Sequence, residues 1–220
     1  MSRGDTGSRH LGIVGAGKAG TTFARAAIAA GYDVAISGSG AAERIALIVD
    51  VLAPGAHAVS TNEVVRDADL IVLAVPMHRF RELPRDLFAG KILLDAMNYW
   101  EEIDGVDKEL ATAPAGTSVV VQGRFPSARV VKSLNQLGYF EFETGRRPRG
   151  VPGRIAIAAA GDDRAAVAGV MQLIDRLGFD AVDAGPLKAG RALEPDGPVF
   201  GASYSADELT NLLSPAVSSA

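Results

Sequence analysis

Short apolar runs alternate with stretches of helical period along this chain, the pattern of a parallel sheet whose strands are joined by crossover helices. His10 to Val14 predicts a first strand, Lys18 to Ala30 an Ala-rich helix stopped at Gly31, and Asp33 to Ser37 a second strand. Ala41 to Leu52 predicts a helix with Ile45, Ile48, Val49 and Leu52 on one face. A short strand near Ala58-Val59, a helical turn from Asn62 and an apolar strand from Leu70 to Val75 follow. Arg79 to Phe88 reads as a helix interrupted by Pro84, and Lys91 to Asp95 as a fifth strand. Asn98 to Ala115 has the mixed polarity of a long functional loop with one helical turn. Ser118 to Phe125 reads as helix, although Val119-Val120-Val121 also suits a strand, and Arg129 to Lys132 is a sixth strand.

The last third repeats the strand–helix–strand order. Arg154 to Ala159 predicts a strand, Asp162 a cap, and Asp163 to Leu177 a helix closed by Gly178. Val167, Val170, Met171, Ile174 and Leu177 form its buried stripe, and Phe179 to Asp183 the final strand. Gly145–Gly153 and Glu194–Gly201 read as exposed loops, and the Ser-rich tail from Ser214 as frayed. The expectation is an α/β protein: a Rossmann-type, doubly wound, mainly parallel sheet over residues 10–150, with a small C-terminal α/β extension over 151–220 packed on it.

Composition narrows the chemistry. Apolar residues make up 48% and charged residues 22% of 220, an ordinary globular balance. A net charge of −4 argues against a nucleic-acid partner, which needs a basic face. With no cysteine, disulfides, thiolate catalysis and cysteine-bound metals are excluded. The three histidines (His10, His57, His78) are scattered, so no metal site is expected. Met1 to Arg9 is polar, without the apolar stretch of a signal peptide, and no apolar run is long enough for a membrane span; a cytoplasmic location is expected.

Gly15-Ala16-Gly17-Lys18-Ala19-Gly20 follows the first strand directly and opens a helix, with a second strand completing one βαβ unit. That setting turns a common glycine spacing into a dinucleotide-binding fingerprint. Gly15 permits the turn, Gly17 lets backbone approach a pyrophosphate, and Gly20 lets helix and strand pack closely. The helix N-terminus offers free N–H groups to the phosphates. At the end of the second strand, where NAD sites carry an acid, this chain has Ser37-Gly38-Ser39-Gly40 and then Arg44. Hydroxyls, backbone N–H groups and an arginine suit the 2′-phosphate of NADP; Glu43 lies late for the NAD role. Ser37 and Ser39 also read as plain turn formers.

Ligands of an open parallel sheet sit beyond the carboxyl ends of its strands. Val75-Pro76 would form a wall beside the cofactor, with His78 after it, Asn98 after the fifth strand, and Asn135 after the sixth. His78 either donates to a substrate or is structural. Lys132 and Asn135 form a Lys-x-x-Asn pair able to protonate or orient a carbonyl or imine during hydride transfer. Equally, Lys132 could extend to solvent and Asn135 cap a helix.

The glycine loop, Leu73-Ala74-Val75-Pro76, Val130-Val131-Lys132-Ser133-Leu134-Asn135, Ala160-Gly161-Asp162-Asp163 and Asp183-Ala184-Gly185-Pro186-Leu187 occur in that order. Together they resemble the NADP oxidoreductase family that uses coenzyme F420, a deazaflavin. The resemblance implies hydride transfer between NADP(H) and the deazaflavin or a similar small acceptor, in a cytoplasmic homodimer. It implies that Gly15 to Gly20, Ser39, Val75 and Pro76 hold NADP. Asn135, Gly185, Pro186, Leu187 and Arg191 would lie near the second ring. The chain departs from that family at Gly40, where many members carry arginine, and at Leu134-Asn135, where deazaflavin enzymes have His-Thr. A non-catalytic dinucleotide-binding or redox-sensing module is the rival reading, because fold and loop alone do not establish chemistry.

Overall fold

The computed structural model describes residues 10–214, so the polar leader and all but the first residue of the Ser-rich tail lie outside the described residues. The elements run β1 (His10–Val14), α1 (Lys18–Ala29), β2 (Asp33–Ser37), α2 (Glu43–Leu52), β3 (His57–Ala58), α3 (Thr61–Asp67), β4 (Leu70–Leu73) and β5 (Ile92–Asp95). There follow α4 (Glu101–Asp104), α5 (Lys108–Ala111), α6 (Thr117–Arg124), β6 (Arg129–Ser133) and α7 (Tyr139–Thr144). The order closes with β7 (Ala156–Gly161), α8 (Arg164–Leu177), β8 (Asp180–Gly185) and α9 (Ala206–Leu213). Two 3₁₀ helices, Met77–Glu82 and Leu187–Leu193, complete the set.

The strands form one eight-stranded sheet in the order β3-β2-β1-β4-β5-β6-β7-β8. Every neighbouring pair is parallel except β6–β7, where Lys132 faces Ala160 in antiparallel register. The first six strands are a doubly wound Rossmann sheet whose order reverses between β1 and β4, and a crevice opens at that switch point. The last βαβ unit lengthens the same sheet, facing the other way. Alternation along the strands supplies two large cores, and a third, smaller one packs Ala158 and Val182 against Leu209. Val72, Leu94 and Val131 point to the side of α1 and α8, where Phe23 and Phe142 meet edge-on at 5.1 Å. Ile71, Leu93 and Val130 point to the other side, where Phe88 meets Phe125 at 5.0 Å.

Several expectations change in detail, each for a local reason. The helix expected over 79–88 is a 3₁₀ turn ending at Glu82, because Pro84 forces Leu83 into extended backbone (ψ 142°). The loop 98–115 holds two helical turns, the second capped by Asp107, whose carboxylate accepts from Glu109 and Leu110 N–H. On α2 only Val49 is buried, and Ile48 and Leu52 stand 45% and 46% exposed, so the expected face is not wholly an inner one. Helix α8 is capped by Asp163, not Asp162: Asp163 accepts from Ala166 N–H at 2.8 Å, while Asp162 accepts from Leu187 N–H. Its buried stripe takes in Leu173, and Met171 is only half-buried; Gly178 closes it at φ 101° as expected. Helices α7 and α9 and the 187–193 turn were not anticipated.

Candidate functional site

The turn out of β1 is shaped by what a side chain would strike. Gly15 sits at φ 121°, and a β-carbon there would lie 2.3 Å from the Ala74 carbonyl oxygen. A β-carbon at Gly20 would lie 1.8 Å from the Gly15 carbonyl oxygen, so α1 leans on the loop as only glycine allows. Gly17 differs: a β-carbon there would meet nothing within 4 Å. It is the N-cap of α1, with no side-chain cap and no acidic residue in the first turn. The N–H groups of that turn therefore open outward with the positive end of the helix dipole behind them.

They open on a cleft of about 490 Å³ at the carboxyl ends of β1, β2 and β4. Gly15, Ala16, Gly17, Gly38, Ser39, Val75 and Pro76 line it, all anticipated. Lys18, Ala19 and Gly20 do not; they continue into α1, and the Lys18 ammonium lies 4.7 Å from the Tyr139 ring centroid. Ser37 is buried beneath the cleft, with its hydroxyl accepting from Thr61 at 3.1 Å. Arg44 is not among the lining residues; it stands exposed next to Gly40, where a β-carbon would be 3.3 Å from Nη1 of its guanidinium. The residues available thus fit a dinucleotide: a cradle without side chains for a pyrophosphate, and hydroxyl and guanidinium groups where a 2′-phosphate would extend.

The wall opposite carries residues that sequence reasoning missed. Arg79, Glu82 and Leu83 line the cleft from the 3₁₀ turn after β4. Arg79 donates through Nε and Nη2 to one Glu82 oxygen at 3.0 and 2.8 Å, which holds the Glu82 carboxyl below its ordinary range. Their spacing of three was visible in the sequence, but a 3₁₀ turn there was not.

Along the same edge the substrate-side candidates separate. Asn98 and Asn135 do meet: Asn135 Nδ2 donates to Asn98 Oδ1 at 2.9 Å, and Asn98 Nδ2 to the Asn135 carbonyl at 3.0 Å. Leu134, just before, is held at φ 63°, a strained conformation for a branched side chain at a strand end. Arg191 lies 45% exposed on a second cavity of about 520 Å³, lined also by Trp100, Thr117 and Glu194. Glu194 is buried and accepts from both the N–H and the hydroxyl of Thr117, the first residue of α6. His78 is anchored, its Nδ1 2.9 Å from Asp104.

Four candidates do not reach this edge. Lys132 is 0% exposed, donates to the Met97 carbonyl at 2.5 Å and lies 3.6 Å from Asp95. Neither the catalytic reach nor the solvated chain expected for Lys132 is what the structure shows; its charge is taken up inside the sheet. Gly185 and Pro186 line a separate groove with Asp162 and Arg164. Because β7 runs antiparallel to β6, the carboxyl end of β8 points to the opposite edge of the sheet from the cofactor cleft. Leu187, beside them, is buried.

Residues 10–99 match the family described as NADP oxidoreductase, coenzyme F420-dependent, a span that takes in the glycine loop, the Ser39 turn and the Val75-Pro76 wall. The earlier resemblance to that family is borne out over this span. No curated protein matches the chain in sequence. Among solved structures, a hypothetical protein from Sinorhizobium meliloti is similar over 90% of this chain and 95% of its own, at 24% identity and TM-score 0.77. An Arthrobacter sp. FB24 protein named "putative F420 dependent NADP-reductase" is similar over 82% of this chain and 86% of its own, at 25% identity and TM-score 0.65. An imine reductase from Pseudomonas sp. shares the fold at 15% identity and TM-score 0.57, over 81% of this chain but 56% of its own. Among the described residues no helix is long and apolar enough to cross a membrane.

Proposed function

We propose that this chain, an NAD(P)-dependent oxidoreductase, binds NADP(H) in the cleft at β1, β2 and β4 and exchanges hydride with a deazaflavin of the coenzyme F420 type or a similar small acceptor. The observation that carries the reading is the uncapped N-terminus of α1, opening on a cleft lined at its other end by Ser39 and Gly40, with Arg44 next to Gly40. The family match covers those same residues. Backbone N–H groups from Gly17 onward would hold the pyrophosphate, and Ser39 and Arg44 the 2′-phosphate.

Bound NADPH supplies the hydride. The chain's own work is positioning: Val75 and Pro76 give the cofactor a rigid wall, and the Asn98–Asn135 pair fixes the ends of β5 and β6 against each other. The acceptor would sit beyond those ends, on the side of Trp100 and Arg191. Lys132 takes no part; its role is to hold β5 and β6 together. A homodimer in the cytoplasm is the working form we propose.

Oxidation of NADPH by the purified protein, with a deazaflavin as acceptor and NADH run in parallel, tests this reading. Turnover with NADPH and not with NADH supports the cofactor, the acceptor and the role of Ser39 and Arg44 together. Folded protein that turns over neither would refute the deazaflavin as acceptor.

A further inference from the structure

His78 follows the carboxyl end of β4 by way of Pro76, between two residues, Pro76 and Arg79, that line the cofactor cleft. Its ring is held by an acid that the sequence gives no reason to pair with it. Asp104, whose side chain is 2% exposed, accepts from the His78 backbone N–H at 3.0 Å and lies 2.9 Å from its Nδ1 through the same oxygen. The other Asp104 oxygen accepts from Trp100 N–H at 2.9 Å. Trp100 lines the second cavity. The carboxylate thus ties the loop after β4, beside the cleft, to the loop after β5, beside the cavity.

That fixes the chemistry of the imidazole. A buried carboxylate beside Nδ1 keeps a proton on that nitrogen, so a second proton on the ring sits on Nε2, the open side. Nε2 is left without a described hydrogen-bond partner on a ring whose side chain is 43% exposed. Glu82, on the same turn, is paired with Arg79, and its carboxyl also feels the nearby His78 ring. A histidine held on one nitrogen and open on the other, between two residues that line the cofactor cleft, has the form of a general acid.

We propose that His78 is the proton donor of the reaction and Asp104 its positioning residue, an inference that rests on the hydride-transfer reading above. As hydride leaves the dihydronicotinamide carbon for a carbon of the acceptor, the acceptor heteroatom that gains electron density takes the Nε2 proton. The nicotinamide is left oxidised, the acceptor has gained two electrons and two hydrogens, and neutral His78 regains its proton from water. The same balance serves a deazaflavin, a carbonyl or an imine.

The test begins with a footprint that needs no turnover. Diethylpyrocarbonate modifies open imidazole nitrogens, and His10 and His57, at the starts of β1 and β3 and 49% and 68% exposed, serve as internal references on the opposite edge. Saturating NADP⁺ should slow modification of His78 several-fold and leave His10 and His57 unchanged. Equal rates at all three sites with and without NADP⁺ would overturn the assignment. In turnover, His78→Gln should lower kcat about 10²–10⁴-fold with the NADPH Kd within about twofold of the parent. Imidazole should restore activity to His78→Ala, which a merely structural histidine would not show. Asp104→Asn should lower kcat by a smaller factor and weaken the solvent isotope effect. Undiminished kcat in His78→Gln would refute the proposal. If the parent protein oxidises no NADPH with any acceptor, the proposed function falls, and the footprint alone still decides whether His78 faces the cofactor edge.

Discussion

The chain contains two βαβ units of the same design, β1–α1–β2 and β7–α8–β8, each with two parallel strands joined by a helix. They differ at the helix N-terminus. In the first, Gly17 caps α1 with no side chain, and the first turn holds no acid. In the second, Asp163 occupies that place and accepts from Ala166 N–H, with Asp162 beside it accepting from Leu187 N–H. One end is left open for an anion and the other is closed by the protein's own carboxylates. A groove lies beside each, and the one near α8 is the roomier at about 790 Å³ against 490 Å³. Volume therefore does not separate the two units; on the proposed reading, the chemistry of a single cap does.

The comparison breaks most sharply if the two caps are made alike. Gly17→Asp places a carboxylate where the pyrophosphate would lie, with open space to accept it. NADPH affinity should fall by about 100-fold or more, roughly 2.7 kcal/mol, while the added cap raises helix stability by up to about 1 kcal/mol. Titration of NADPH fluorescence together with a melting curve checks both; unchanged affinity would remove the open N-terminus from the binding site. Gly20→Ala attacks the packing instead. With 1.8 Å to the Gly15 oxygen, α1 must move, and a loss of about 1–3 kcal/mol in denaturant unfolding is expected.

The counterpart change is Asp163→Ala. It should cost about 0.5–2 kcal/mol of stability and leave NADPH affinity as it was, since α8 begins at the other edge of the sheet. The smallest effect lies on the same unit. Burial works against charge on Asp175, but hydrogen bonds from Arg154 and Arg149 outweigh it and hold the carboxyl below its ordinary range. A depressed carboxyl contributes stability above the unfolded carboxylate range that is lost as pH falls through it. Melting temperature should thus decline less steeply on acidification in Asp175→Asn than in the parent; parallel curves would show that the Arg154 cluster adds nothing.

How much of this was legible in the sequence follows from how local each signal is. The glycine loop carried its own context, strand before and helix after, and Gly15 and Gly20 are required for the reasons their spacing suggested. The direction of β7 was not legible, because an apolar run such as Ala156 to Ala160 reads the same in either sense. That one reversal moved Gly185 and Pro186 to the far edge. Lys132 was misread because its partner, Asp95, sits on the neighbouring strand, and a charge buried in a pair looks in sequence like a charge in solvent. Asp104 was invisible as a partner of His78, since 26 residues and two loops separate them.

The join between the two units has a consequence for how the molecule is made. Antiparallel pairing of β6 with β7 runs from Val131 opposite Gly161 to Ser133 opposite Ala159, a short seam. On a chain synthesised from its N-terminus, β6 is complete before β7 exists, and its outer edge stands bare with unpaired N–H and C=O groups. Gly190, whose absent β-carbon would lie 2.9 Å from that of Lys132, has not yet come to pack on that side chain's stem. The six-stranded body must therefore wait, with an open edge, for its last strands. Hydrogen exchange should find the β6–β7 seam opening before the rest of the sheet, and protein caught in that state would be the species most prone to pair with a neighbour during synthesis.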